Sequence, residues 1–148
     1  MDTTKFVELL NEDLQTEYQS IVQYVQHIAA VRGAEYQALG GELESHLTQE
    51  LNHALTLARQ IDFLGGRPTV QVPDVPDIVD TRDALEADLA LEREQLKRYR
   101  ERVSQAEELG LRDVAEAINP VLEQTQDHVH ELCKALDVPF DENAAGAT

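Results

Sequence analysis

Apolar side chains recur every three or four positions along most of the chain, which is the periodicity of amphipathic α-helices. Signals for strands are nearly absent, because hardly any stretch alternates apolar and polar residues. The pattern therefore predicts an all-α protein, a single four-helix domain over residues 1–137 followed by a flexible tail over residues 138–148. The four predicted helices cover residues 4–31, 35–64, 81–110 and 113–136.

Local signals support these boundaries. The first three helices each end at a glycine, a residue that favours helix C-termini. Asp80 is a plausible N-cap of the third helix. The pair Gly40-Gly41 weakens the first turns of the second helix. Pro120 cannot donate to the carbonyl of Glu116, so we expect it to kink the fourth helix or to mark its true start.

The connection between the second and third helices decides the topology. Residues 65–79 read GGRPTVQVPDVPDIV, with three prolines, and are too proline-rich to form a helix. Fifteen extended residues span roughly 50 Å, whereas a helix of 28 residues is about 42 Å long. The connection can therefore cross the whole bundle and make the second and third helices parallel. This predicts the four-helix topology with one long crossover.

The inner face of each predicted helix carries polar residues where apolar ones are expected. Glu17, Glu50 and Glu92 lie near the middle of the first three apolar stripes, and the fourth stripe contains Thr125 and His128. A buried carboxylate is costly unless it is paired with a cation or bound to a metal. We therefore expect these three of the 29 acidic residues to lie inside and most others to lie on solvated faces.

The two halves of the chain repeat at an offset of 75 residues, without a gap. We call residues that are 75 positions apart repeat mates. Helical periodicity alone aligns leucines, but here polar residues also align, which supports an internal duplication and a pseudo-twofold bundle. The polar mates are Glu17 with Glu92, Tyr24 with Tyr99, and His53 with His128, whereas Glu50 has Thr125 as its mate.

Glu50 and His53 are three residues apart and therefore share one face of their helix. Converging carboxylates repel one another, and a pair of divalent metal ions relieves that repulsion. The predicted metal ligands are Glu17, Glu50, His53, Glu92 and His128. The alternative is that the glutamates are solvated at stripe edges and the histidines are ordinary core residues. Tyr24 and Tyr99 are predicted core aromatics whose hydroxyl groups contact a carboxylate, with a redox role as the alternative.

Charge and cysteine content exclude several classes of protein. The chain has 12 basic and 29 acidic residues and a net charge of −17, which argues against nucleic acid or an anionic membrane as a partner. Cys133 is the single cysteine, so neither an internal disulfide nor an all-cysteine zinc site can form. No apolar run has transmembrane length, and the first residues do not resemble a signal peptide. We therefore expect a cytoplasmic protein.

Three segments of the chain resemble the bacterioferritin branch of the ferritin-like superfamily: LNEDLQTEYQSIVQYVQHIA at 10–29, QELNHALTLARQIDFLGGRP at 49–68, and LEADLALE at 85–92. The resemblance implies a di-iron centre that oxidises Fe(II) with O2 or peroxide, with Mn or Zn as substitutes for iron. It also implies a homo-oligomer, at least a dimer. In the family pattern Glu17 and Glu92 correspond to terminal carboxylates, Glu50 to a bridging carboxylate, and His53 and His128 to the imidazole ligands.

The chain departs from the family pattern in three places. Thr125 stands where the family has a second bridging glutamate, so the site has three carboxylates rather than four. Leu51 stands at the position of the haem-ligating methionine, and Met1 is the only methionine, so we expect no haem. Residues 138–148 contain no counterpart of the short C-terminal helix that supports the family's cage, so a dimer is an alternative to a shell.

Three other functions stay open at this stage. The first is a non-enzymatic metal-binding or scaffold bundle whose centre has decayed with the loss of the fourth glutamate. The second is a peroxide scavenger of the rubrerythrin type, although a single cysteine excludes the four-cysteine module of its full form. The third is a DNA-wrapping mini-ferritin, against which stand the absence of a basic tail and the proline-rich crossover.

The Thr125→Glu substitution tests the position of the fourth helix in this site. Restoring the fourth carboxylate adds a negative charge between the metals, so the affinity for the second divalent ion should rise. Isothermal titration of the parent and variant proteins measures both stoichiometry and affinity. If neither quantity changes, the alignment of the fourth helix with the site is wrong.

Overall fold

The computed structural model describes residues 1–140 of the 148, and within them it contains four long helices and no strand. The predicted all-α class is therefore confirmed. A short 3-10 turn precedes the second helix, at Ala34–Tyr36. The helices are α1 (Thr3–Ala30), α2 (Leu39–Phe63), α3 (Thr81–Glu108) and α4 (Arg112–Leu136).

The start of α2 is the one boundary that sequence reasoning placed poorly, because the helix begins four residues later than Glu35. Gly33 adopts a φ of 104°, which only glycine reaches without strain, and reverses the chain direction after α1. Tyr36 then buries its ring among the residues that include Leu43. Burial of this ring holds the segment before Leu39 as a turn and delays the helix.

The remaining helix signals concern the N-cap of α3 and the place of Pro120 in α4. The Asp80 side chain caps α3 by accepting a hydrogen bond from the Asp83 backbone N–H at 3.0 Å. Pro120 does not mark the start of α4, because the helix runs continuously from Arg112. Pro120 and Glu116 are both exposed, so the carbonyl that loses its helical partner lies on the solvated side of the helix.

Contacts between α1 and α3 establish the bundle topology. Asp13 pairs with Arg102 near one end of these helices, and His27 pairs with Asp88 near the other, so α1 and α3 are antiparallel. The short turn between α1 and α2 makes these two helices antiparallel as well. It follows that α2 and α3 are parallel, as the long crossover predicted.

The crossover lies along α1. The Asn11 side-chain oxygen accepts a hydrogen bond from the Thr69 backbone N–H at 2.8 Å, and the Tyr18 hydroxyl donates to the Thr69 carbonyl at 3.0 Å. Further along, the Gln26 side-chain N–H donates to the Asp77 carboxylate at 2.6 Å. These side-chain bonds hold the crossover against α1, although the crossover itself forms neither helix nor strand.

The apolar core is divided into two clusters, one toward each end of the bundle. A layer of buried polar side chains near the middle of the helices lies between them, and this layer contains the candidate site. Phe6, Leu10, Leu14, Leu57, Ile61 and Ile118 belong to one cluster, and Leu43, Leu85, Leu89, Leu132 and Leu136 belong to the other.

Two further acidic residues are buried, which corrects the expectation that only three lie inside. Asp13 accepts two hydrogen bonds from the Arg102 guanidinium, at 2.8 and 3.2 Å. Asp88 contacts His27 Nδ1 at 2.8 Å and accepts a hydrogen bond from Gln23 at 3.0 Å. Asp13 and Asp88 are repeat mates, and so are His27 and Arg102. The same pair of positions is therefore in contact in both halves of the chain, which supports the internal duplication.

Residues 138–140, at the start of the predicted tail, contact α3 and α4. The Pro139 carbonyl accepts hydrogen bonds from Arg93 at 2.8 Å and from the Cys133 thiol at 3.3 Å. The Phe140 ring packs edge-on against His130. The rest of the predicted tail, residues 141–148, lies outside the described residues. Among residues 1–140, no helix combines the length and the apolar character needed to cross a bilayer.

The buried position of Asp13 predicts a pH-dependent stability. Burial raises the pKa of Asp13 from 3.8 to about 7, although Arg102 acts to lower it. A carboxyl whose folded pKa is raised stabilises the fold when protonated. That contribution is complete below the unfolded pKa and is lost, at up to about 1.4 kcal/mol per pH unit, as the pH rises toward 7. The Tm of the metal-free protein should therefore fall over this range.

Thermal unfolding in the presence of a chelator, followed by circular dichroism, measures this fall. The Asp13→Asn variant is the control, since its amide does not titrate. Its Tm should depend less steeply on pH, whatever its absolute stability. Parallel pH profiles for the two proteins would assign the fall to general charge repulsion instead.

Candidate metal centre

All five predicted ligand residues meet in the polar layer between the two apolar clusters. Each of the four helices contributes at least one of them, and all five are almost fully buried. One helix can contribute two of them because residues three apart lie on the same face of a helix. Glu17 lies on α1, Glu50 and His53 on α2, Glu92 on α3, and His128 on α4.

The five residues form two groups of three that share Glu50. We call Glu17, Glu50 and His53 the first half-site, and Glu50, Glu92 and His128 the second half-site. In each half-site one potential ligand atom from every residue lies within 4.8 Å of the others. The shared glutamate extends one oxygen toward each histidine, which is the arrangement of a bridging carboxylate.

The two half-sites differ in how closely their atoms approach. In the second, His128 Nδ1 lies 2.8 Å from Glu50 Oε1 and 3.1 Å from Glu92 Oε1. In the first, His53 Nδ1 lies 3.4 Å from Glu50 Oε2 and 3.6 Å from Glu17 Oε1. The first half-site is therefore the more open of the two.

Two glutamines orient the histidine rings, and sequence reasoning missed both. The His53 Nε2–H donates to Gln124 Oε1 at 2.8 Å, and the His128 Nε2–H donates to Gln49 Oε1 at 2.5 Å. A donor bond from Nε2 leaves Nδ1 of each ring directed at the carboxylates. Gln49 and Gln124 are repeat mates, so the 75-residue offset contains the signal that identifies them.

Tyr24 and Tyr99 each contact a ligand carboxylate of the opposite repeat. The Tyr24 hydroxyl donates to Glu92 Oε1 at 2.8 Å, and the Tyr99 hydroxyl donates to Glu17 Oε1. Burial, together with these neighbouring carboxylates, raises the pKa of both tyrosines well above the usual value. The hydroxyl groups therefore keep their protons and hold the two terminal carboxylates in place.

The carboxylates perturb one another strongly. Burial, reinforced by the charges of Glu17 and Glu92, raises the pKa of Glu50 well above its usual value. Burial also opposes ionisation of Glu92, but its bonds to His128 and Tyr24 help to outweigh that effect and lower its pKa. Burial lowers the pKa of His53, yet contacts with Glu17 and Gln124 reverse this and raise it overall. The layer therefore contains more acid than its own groups can neutralise.

Several polar atoms of this layer have no hydrogen-bond partner among the described residues. They are buried, so leaving them unpaired costs free energy that a bound cation removes. Carboxylate oxygens and imidazole nitrogens are ligands for Fe(II), Mn(II) and Zn(II), and the residues present therefore fit a divalent metal pair. The unpartnered ligand atoms are Glu17 Oε2, Glu50 Oε2, Glu92 Oε2 and His53 Nδ1.

Thr125 lies on the same face of α4 as His128 and is buried, as its place in the stripe predicted. Its hydroxyl donates to the Val121 carbonyl at 2.8 Å, one turn earlier in the helix. The position that mates with Glu50 thus supplies a small neutral group with its own partner. The centre has three carboxylates, and nothing at Thr125 replaces the fourth.

His46 adds an unexpected group beside the second half-site. Sequence reasoning favoured a structural or surface role for it, with an accessory site as the alternative. The side chain is buried, and its ring stacks on His128 with centroids 4.0 Å apart. Its two nitrogens contact the Tyr24 hydroxyl, at 3.3 Å, and the Glu131 carboxylate. Burial, followed by the neighbouring His128, lowers the pKa of His46.

Comparison with known proteins identifies the family and several relatives of this chain. The sequence model of a family described as "Ferritin-like domain" matches residues 7–138. A bacterioferritin of Rhodobacter capsulatus is 33% identical over 107 residues, which span 72% of this chain and 66% of that protein, just under two thirds of its length. A "nutrient stress-induced DNA-binding protein" of Synechococcus sp. is 26% identical over 144 residues, covering 90% of this chain and 82% of that protein.

A solved structure gives the same result for the fold. A ferritin-like, diiron-carboxylate protein from Bacillus anthracis strain Ames superposes with a TM-score of 0.85 and 35% sequence identity. The superposition covers 92% of this chain and 99% of that one. The four-helix fold of this chain is therefore one that a ferritin-like, diiron-carboxylate protein adopts.

The glutamine contacts generate a test of how the imidazoles are held. Gln124→Leu and Gln49→Leu each remove the acceptor that fixes one histidine ring, and loss of such a contact lowers metal affinity by about 10–100-fold. Zn(II) affinity can be measured by competition with a chromophoric chelator. Gln126→Leu, at an exposed position of the same helix as Gln124, is the matched control and should bind as the parent does. Unchanged affinity in the Gln124 and Gln49 variants would show that these bonds do not orient the ligands.

Proposed function

The chain belongs to the ferritin-like domain family, and from this membership we propose that its buried centre binds Fe(II) and supports oxidation of the ion by O2 or peroxide. Fe(II) is the substrate, and the oxidised iron is released or sequestered. One observation carries the proposal: two three-residue groups of carboxylate and imidazole ligands share Glu50 in the middle of the bundle.

The chain's own residues bind and position the ions in this proposal. Glu17 with His53, and Glu92 with His128, hold the two outer positions, and Glu50 lies between them. Bound iron supplies the redox chemistry, since none of these side chains exchanges electrons readily at neutral pH. The Tyr24 and Tyr99 hydroxyls keep the terminal carboxylates directed inward, and the apolar clusters at either end limit access of water.

Charge supports a cation in this layer. Three ionised carboxylates carry three negative charges, and two Fe(II) ions carry four positive charges. With both ions bound and no fourth carboxylate, the centre therefore has one excess positive charge. The loss of the family's fourth glutamate at Thr125 thus weakens binding of the second ion without removing a terminal ligand. A centre with one strongly bound ion and one weakly bound ion agrees with this balance.

A scaffold bundle with a decayed centre is the competing proposal. It predicts that anaerobic Fe(II) neither binds to the protein nor changes its melting temperature, whereas a bound ion stabilises the fold by mass action. The unpartnered oxygens of Glu17, Glu50 and Glu92 favour the metal centre, because a decayed site is expected to lose such costly groups.

The remaining assignments follow from the family and from charge. Two cyanobacterial relatives carry DNA binding in their names, which is a statement about those proteins. The net charge of −17 opposes binding to phosphates, so we propose no nucleic-acid partner for this chain. We also propose a cytoplasmic homo-oligomer of at least two chains, without haem, because Leu51 replaces the methionine that the bacterioferritin resemblance requires.

The substitution Glu50→Ala tests the proposed oxidation. It removes the only carboxylate common to both half-sites, so the initial rate of Fe(II) oxidation by O2 should fall at least about tenfold. Oxidation can be followed by the ultraviolet absorbance of the ferric product and by oxygen consumption. Glu44→Gln, on an exposed position of α2, is the control and should retain the parent rate. Equal rates for the parent and for Glu50→Ala exclude this centre as the place of oxidation.

A further inference from the structure

The two halves of the metal centre share most contacts but not all. The two terminal glutamates, the two histidine ligands, the tyrosines and the orienting glutamines occur as repeat mates, whereas the shared ligand Glu50 has Thr125 as its mate. His46 and Glu131 have no matching mates either, because their mates are Val121 and Thr56, which have neither a ring nitrogen nor a carboxylate. The repeat therefore provides an internal comparison: one half-site has an additional polar network, and the other lacks it.

The additional network contacts both residues that belong to the second half-site alone. The His46 ring stacks on the His128 ring, with centroids 4.0 Å apart and planes 20° apart. His46 Nδ1 lies 3.3 Å from the Tyr24 hydroxyl, which in turn donates to Glu92 Oε1 at 2.8 Å. His46 thus restrains the His128 ring by stacking on it, and it restrains the Glu92 carboxylate through the Tyr24 hydroxyl.

Glu131 holds the restraining side chain in place. Its carboxylate contacts His46 Nε2, and its own side chain is 45% exposed, whereas that of His46 is 3% exposed. The bond fixes the rotation of the His46 ring and directs Nδ1 at Tyr24. Glu131 also places a carboxylate against the ring that stacks on His128, although it is not within the ligand groups, and its negative charge favours a cation at that half-site.

Among residues 1–140, nothing equivalent restrains the first half-site. His53 has the Gln124 contact, but the ring stacked nearest to it is His128, at 5.9 Å between centroids. The distances from its Nδ1 to the two carboxylates are also longer than the corresponding distances of His128. Ligands that are already held in position lose less conformational entropy when an ion binds.

We propose that His46 and Glu131 make the two metal positions unequal, so that the second half-site binds a divalent cation first and more tightly than the first half-site. The inference rests on the proposed function, since it assumes that the centre binds metal. His46 is a positioning residue in this account, because it acts through His128 and Tyr24. The network decides which of the two positions binds its ion more tightly, because the terminal ligands of the two half-sites are otherwise matched by the repeat.

Anaerobic titration of the metal-free protein with Co(II) tests the order of binding. Co(II) is paramagnetic and shifts the NMR signals of the imidazole that ligates it. With less than one equivalent added, the large contact shift of a directly ligating imidazole should appear in the His128 ring signals, whereas His53 should show only the smaller through-space effect of an ion nearby. Two binding steps should be resolved, of which Glu92→Gln removes the tighter and Glu17→Gln the weaker.

Variants of His46 and Glu131 then test whether this network causes the difference between the two binding steps. Glu131→Gln changes only a half-exposed side chain, and His46→Phe keeps a stacked ring but removes both hydrogen bonds. Each should weaken the tighter step by about tenfold and leave the weaker step unchanged. Glu123→Gln, an exposed carboxylate on the same helix as Glu131, is the control and should change neither step.

Three outcomes contradict the inference. Contact shifts of equal size in the His53 and His128 rings from the first addition onward would show that the positions are equal. An equal weakening of both steps in Glu131→Gln and His46→Phe would show that the network stabilises the fold without distinguishing the positions. A protein that binds no Co(II) would overturn the proposed metal centre as well, which separates the failure of that proposal from the failure of this one.

Discussion

The burial of three carboxylates in one layer of the bundle is the constraint on which the rest of the structure depends. Glu17, Glu50 and Glu92 lie where apolar side chains would pack, and all three are fully buried. Their repulsion opposes folding, and the structure limits it with two tyrosine hydroxyls and two imidazoles. The apolar core is divided in two for the same reason, because this layer cannot be filled by leucine.

The internal repeat explains how such a layer is assembled with few different contacts. Each half supplies a glutamate whose carboxylate accepts from the tyrosine of the other half, and a histidine whose ring donates to the glutamine of the other half. The same rule holds for the aspartates, where Asp13 meets Arg102 and Asp88 meets His27. Contacts between halves close the bundle, so neither half can complete the centre without the other.

The spacing of apolar residues and the length of the crossover predicted most of the fold. Helical periodicity located four helices, and the length of the proline-rich crossover fixed the parallel arrangement of the second and third. The late start of α2 was missed because it depends on the burial of Tyr36, a tertiary contact that local propensity does not contain. The burial of Asp13 and Asp88 was not predicted for a similar reason: an aspartate one position from a leucine can face solvent or a neighbouring helix, and only the partner Arg102 or His27 decides.

The amino-acid sequence alone determined three features of the centre. They are the identity of the five candidate ligands, the repetition of most of them at an offset of 75 residues, and the missing carboxylate at Thr125. These features are readable because helix geometry relates spacing to a common face over a short distance. The tertiary structure decided which atoms meet. It set the rings of His53 and His128 against glutamines and joined His46 to Glu131, 85 positions away. Such contacts depend on how helices distant in sequence are rotated and packed, a relation that local periodicity does not specify.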